Sequence, residues 1–179
     1  MNKIEKNPFR IIYKSKGQIL PKSVWYLYFF LLFILFILDF VIPNKVIEIN
    51  LQMWNANQYI IISLSALAFI LSMYMFGREV YSVEDFARIY LKNPSTYYGY
   101  LSDYLFPSLI WGIIVIISIL RIMIKNQFPF WLLEFLRLVF ISLVVLAFLA
   151  TITLVIHNMN RVSNKIFIES EKIRKETEK

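Results

Sequence analysis

Residues 137–157, RLVFISLVVLAFLATITLVIH, decide the fold class. From Leu138 to Ile156 the stretch carries no charge and no proline. At 1.5 Å per helical residue it is long enough to cross a hydrocarbon core of roughly 30 Å. It reads as a membrane span. The segment that follows, NMNRVSNKIFIESEKIRKETEK (158–179), is too charged to enter lipid, so the span ends near His157.

Working outward, the same reading recurs. The chain has 179 residues, 59% of them hydrophobic and only 17% charged, which is too apolar for an ordinary soluble domain. Three further apolar stretches, 24–42, 58–76 and 104–124, meet the length criterion, and the expected fold is an all-α, four-span antiparallel bundle. There are no cysteines, which excludes disulfide frameworks and thiolate chemistry. The formal net charge of +7 invites a nucleic-acid reading, but the basic residues flank apolar segments, and direct nucleic-acid binding is not expected.

The leader, 1–23, holds Lys3, Lys6, Arg10, Lys14, Lys16 and Lys22 against Glu5. It resembles the basic region of a signal peptide, but the following apolar run is too long for one and lacks a small-residue cleavage site. The run 24–42 is therefore read as an uncleaved first span. Phe9, Ile11, Ile12 and Tyr13 suit the headgroup level, with a floppy basic end as the alternative. In the second span Ser65, Ala68 and Ser72 make a small-residue stripe, and Ser108 and Gly112 make a small pair in the third. With Ala147 and Thr151 in the fourth, they are the expected helix-packing positions, within the chain or between copies in a homo-oligomer.

The loop 77–103 has its own character. Val83, Phe86, Ala87, Tyr90 and Leu91 recur at helical spacing, Ser82 and Asp85 fit a capping box, and Asn93-Pro94 closes the helix. A tyrosine-rich turn is expected next, with Gly99 available for positive φ, and Pro107 is expected in the first turn of the third span. Of the 19 lysines and arginines only Lys45, Arg121, Lys125 and Arg137 fall on the other side of the membrane from the leader, loop and tail. The positive-inside rule puts both termini and the loop in the cytoplasm, as in a multi-pass protein of a cell's inner membrane.

Candidate chemistry is sparse. Asp39, Arg121, Glu134 and Arg137 lie at the outer ends of their spans, where Glu134 and Arg137 can pair at i, i+3 and leave Asp39 to seek Arg121. A structural clip is the plainer reading and an ion or proton site the sharper one. His157, the single histidine, has no acid beside it in the sequence and complements a helix C-terminal dipole. No catalytic constellation, phosphate loop, metal set or cofactor motif is present, so no enzyme activity is expected.

In the tail, Lys165/Glu169 and Glu171/Lys175 are opposite charges at i, i+4, and no breaker intervenes, which predicts that span four continues as a helical stalk. Phe86 and Tyr90 in the loop, with Arg161, Lys165, Phe167 and Ile173 in the tail, are the expected contacts for a cytosolic protein partner.

A small four-span chain with both ends inside is similar in outline to the membrane subunit of Kiwa-type antiphage defence systems. The resemblance covers the whole chain, rests on architecture and carries no site residue. It implies an oligomer that holds a cytosolic DNA-binding partner at the membrane. The expected function is a non-enzymatic scaffold or sensor. The alternatives are a channel lined by Ser65, Ser72, Ser108 and Ser118 in an oligomer, or an immunity protein against a membrane-active toxin.

Overall fold

The computed structural model describes residues 4–38, 55–124 and 129–178, which form helices and no strand. Among the described residues six helices follow in order: α1 (Pro8–Lys14), α2 (Lys22–Phe36), α3 (Ala56–Val80), α4 (Val83–Lys92), α5 (Pro94–Met123) and α6 (Phe130–Thr177). Their starts are set by local chemistry. Asn7 caps α1 ahead of Pro8 at its first position. Asn55 with Gln58, and Ser82 with Asp85, form reciprocal capping boxes on α3 and α4. Asn93 ends α4 and its side chain accepts from the Ser95 amide to begin α5.

Three of these helices, α3, α5 and α6, are long and apolar enough to cross a membrane. Phe29, Phe33, Ile61, Leu71, Ile116, Phe148 and Ile152 are exposed around the bundle, a distribution that suits lipid and not water. The expected first span appears as α2, an apolar helix of 15 residues, roughly 22 Å long at 1.5 Å per residue. Its remaining residues, 39–42, lie outside the described part of the chain, as does Asp39.

Two expectations for α5 need correction. The tyrosine-rich segment is helix and not a turn, since α5 begins at Pro94, and no residue among those described has positive φ. Pro107 consequently lies well inside the helix and not in its first turn. With no N–H it leaves the Asp103 carbonyl without its helical donor.

The bundle closes on three seams with alternating spacings of four and three. On α3 the buried or half-buried positions at this spacing are Tyr59, Ser63, Ala66, Ile70, Met73 and Gly77, beside others such as Tyr74, and on α5 they are Tyr100, Tyr104, Pro107, Trp111, Ile114 and Ser118, beside others such as Asp103 and Ile110. On α6 they are Ala147, Thr151, Leu154, Asn158, Arg161 and Lys165. This spacing is that of ridges packed into grooves at a shallow crossing angle. Ile114 and Ala147 are completely buried at its centre. There the indole N–H of Trp111 donates to Thr151 Oγ1 at 3.0 Å, so a polar group inside the bundle is satisfied by the neighbouring helix.

The small residues divide accordingly. Ala147 and Thr151 are on the seam, as expected. Ser65, Ala68 and Ser72 are exposed on the far side of α3 and take no part in packing among the described helices. Ser108 is half-buried, and a side chain added at Gly112 would meet open space, so this pair makes no close approach. A close approach occurs instead at Gly77, where a Cβ would run into the hydroxyls of Tyr100 and Tyr104, and at Gly99, where it would run into the Gln18 side chain.

Candidate functional site

The most elaborate polar arrangement lies where α3 ends, α5 begins and α6 leaves the apolar part of the bundle. Asp103 is its centre. It is 6% exposed, one carboxylate oxygen accepting from the Arg161 guanidinium and lying 3.0 Å from His157 Nδ1. Sequence reasoning left His157 without an acid, because Asp103 is 54 residues away along the chain. One residue on from Asp103, the Tyr104 hydroxyl donates to Asn158 Oδ1 at 2.5 Å, and Arg161 donates to the same oxygen at 3.2 Å. Asn158 in turn donates to the Met73 carbonyl at 3.5 Å, which brings α3 into the network.

Aromatic rings wall this network off. The Arg161 guanidinium lies 4.5 Å from the centre of the Tyr100 ring, a cation–π contact made inside the fold. Tyr74, Tyr81, Tyr100 and Tyr104 pack ring against ring, and Phe86, Tyr90, Tyr97 and Tyr98 extend the cluster onto α4. Burying one carboxylate costs several kcal/mol unless it is paired, and here a guanidinium and an imidazole both address it. The arrangement holds charge, with Asp103 itself buried, while Tyr74 and Tyr104 also line a cavity of about 340 Å³ beside the leader.

The network continues outward along α6. Lys165 donates to Asp85 of α4 at 2.9 Å and lies 5.8 Å from the Tyr81 ring. The hydrogen bond from Lys165 holds the Asp85 carboxyl below the usual aspartate range, and the same bond raises the Lys165 ammonium. The leader is drawn to the same end. Ile11, Ser15 and Leu20 are buried, the Tyr98 hydroxyl accepts from the Glu5 amide at 3.1 Å, and Lys14 sits over the Tyr98 ring. Phe9 and Tyr13 remain exposed, so only part of the leader's expected apolar face is free to meet headgroups.

Several expected partner contacts are therefore engaged within the chain. Phe86 packs on Tyr81, Tyr97 and Tyr100, and Tyr90 packs on Tyr97 and Tyr98. Arg161 and Lys165 hold Asp103 and Asp85. The outward stripe of α4 is instead Val83, Ala87 and Leu91, at intervals of four. Phe167 and Ile173 are exposed as expected, together with Ile166 and Ile168. The signal that locates Arg161 and Lys165 correctly is the four-three spacing of Ala147, Thr151 and Leu154, carried on past His157 without a change of face.

At the opposite end of the bundle Glu134 pairs with Arg137 as expected. Arg121 and Arg137 both line a cavity of about 570 Å³ between the end of α5 and the start of α6. The four serines of the channel reading share no surface: Ser65 and Ser72 are exposed on α3, whereas Ser118 is buried. No protein-family model, curated protein or solved structure matches the chain.

Proposed function

We propose that this protein is a non-enzymatic membrane scaffold that presents the distal part of α6 to a soluble protein. The observation that carries this reading is the continuity of α6. It runs unbroken for 48 residues from Phe130 to Thr177, and its far third carries exposed Ile166, Phe167, Ile168 and Ile173. Exposed apolar side chains on a charged helix outside lipid mark a protein contact. The base of this stalk is held to the bundle by Asp103–Arg161 and Asp85–Lys165. A purely solvated tail needs no such anchorage.

In this reading four helices span the membrane, with α2 and the residues after it as the first span. The stalk faces the cytoplasm with both termini, following the distribution of lysine and arginine. The exposed Ser65, Ala68 and Ser72 face is the contact between copies in a homo-oligomer. The outline shared with Kiwa-type membrane subunits suggests antiphage defence as the setting. The test is affinity purification of the full chain in mild detergent beside a variant lacking 166–179. The variant should insert normally and lose its soluble partner; equal recovery of the partner by both would overturn the proposal.

A further inference from the structure

We propose that the cavity between the end of α5 and the start of α6 is a binding site for one anionic phospholipid. Its phosphate is held by Arg121 and Arg137, and an acyl chain lies along the aliphatic wall of Leu120, Leu136 and Leu143. At about 570 Å³ the space falls within the roughly 300–1,000 Å³ of small-ligand sites. Among the described residues its lining contains two arginines and no carboxylate, the remaining side chains being apolar apart from Tyr59. Charge is therefore complementary to an anion, and a guanidinium fork matches the geometry of phosphate oxygens.

The shape of this chemistry selects a lipid. The arginines fall where α5 ends and α6 begins, at the boundary of the apolar helices, and the aliphatic residues continue from them into the bundle. A free phosphate would satisfy the guanidiniums and leave the apolar groove unfilled, whereas a phospholipid satisfies both and is already present in the surrounding bilayer. Arg137 also serves Glu134, so Arg121, which makes no ion pair with any described residue, is the principal phosphate ligand. The site is remote from the stalk and independent of its role.

The experiment is native mass spectrometry of the full chain in a non-ionic detergent, titrated with phosphatidylglycerol or with phosphatidylcholine of identical chains. Phosphatidylglycerol should bind about tenfold more tightly. Arg121→Gln should abolish that preference, Arg121→Lys should reduce it, and Leu143→Trp should weaken both lipids by filling the groove. A Lys14→Gln/Lys16→Gln variant of the basic leader should keep the preference. Millimolar inorganic phosphate should not displace the lipid. Equal binding of the two lipids by the unaltered chain, the result expected if Asp39 neutralises Arg121, would overturn the site. So would a preference that survives Arg121→Gln and disappears with the leader lysines, or displacement by phosphate alone. Arg121→Lys keeps the charge and serves as the readout should the glutamine variant fold poorly.

Discussion

The Asp103 end and the Arg121 end of this bundle are built from the same three helices, yet they treat charge in opposite ways. At the first, an acid on α5 and two bases on α6 are drawn inward, ringed by aromatic side chains and tied to α3 through Asn158. At the second, two arginines line a cavity with aliphatic walls. Seven of the chain's 11 tyrosines (Tyr74, Tyr81, Tyr90, Tyr97, Tyr98, Tyr100 and Tyr104) gather at the first end, and Tyr59 alone lines the cavity at the second. At one end the buried carboxylate meets its bases inside the fold; at the other Arg137 pairs with Glu134 while Arg121 makes no ion pair with a described residue.

That contrast is most sharply tested by removing one charge from each end. Asp103→Ala leaves the half-buried Arg161 without its carboxylate and should destabilise the folded bundle by up to about 3–5 kcal/mol. Arg121→Gln should change stability little in a neutral detergent, because its side chain is exposed. Thermal unfolding of the two variants side by side reads the difference, and equal losses would erase the distinction between the ends.

A smaller effect is expected at Gly77, where α3 meets the tyrosines. Alanine gains about 1 kcal/mol from helix propensity, but its Cβ collides with the Tyr100 and Tyr104 hydroxyls, and overpacking of this kind costs about 1–3 kcal/mol. Gly77→Ala should therefore lower the melting temperature despite its better propensity. The opposite result would mean that the tyrosine cluster yields easily. Trp111→Phe, midway between the ends, should cost about 1 kcal/mol through the hydrogen bond to Thr151. Restoring nothing at either end, it calibrates the other variants.

The Asp85–Lys165 pair should matter least, since both side chains are partly exposed, and a pair of that kind contributes about 0–1 kcal/mol. Its pH dependence has a definite sign. Asp85 is lowered in the folded chain from 3.8, so its contribution is present above that value and is lost as pH falls through the depressed one. Lys165→Met should flatten this acid limb in a stability profile of the stalk, measured by proteolysis within α6 at successive pH values.

Much of the fold was legible because length and apolarity report membrane spans directly. Both α4 and its capping box could be read from Ser82, Asp85 and Asn93, and the continuity of α6 from its lack of breakers. Helix facing was harder. In lipid an outward side chain is as apolar as an inward one, so small residues were the available guide, and Ser65, Ala68 and Ser72 mark a face of α3 other than the one packed among the described helices. The seam within the chain also carries small residues, Ser63 and Gly77, seven residues to either side of Ile70.

The candidate site was missed for a related reason. Asp103 was assigned to a loop because the span was expected to begin at Tyr104, whereas the helix starts at Pro94 and brings the carboxylate inside. Counting backward from Ser118 in steps of four and three, through Trp111 and Tyr104 to Tyr100, would have shown that the seam reaches past the apolar run.

The separation between Asp103 and Arg161 also has a meaning during synthesis. The two partners are 58 residues apart, and at about 5–20 residues per second a ribosome needs roughly 3–12 s to travel between them. Throughout that interval α5 is present with Asp103 lacking its guanidinium, while Tyr100 and Tyr104 can already pack on Tyr74, Tyr81 and Phe86, which precede them in the chain. A chain cut short before Arg161 never acquires that guanidinium and keeps a carboxylate drawn into the bundle without it.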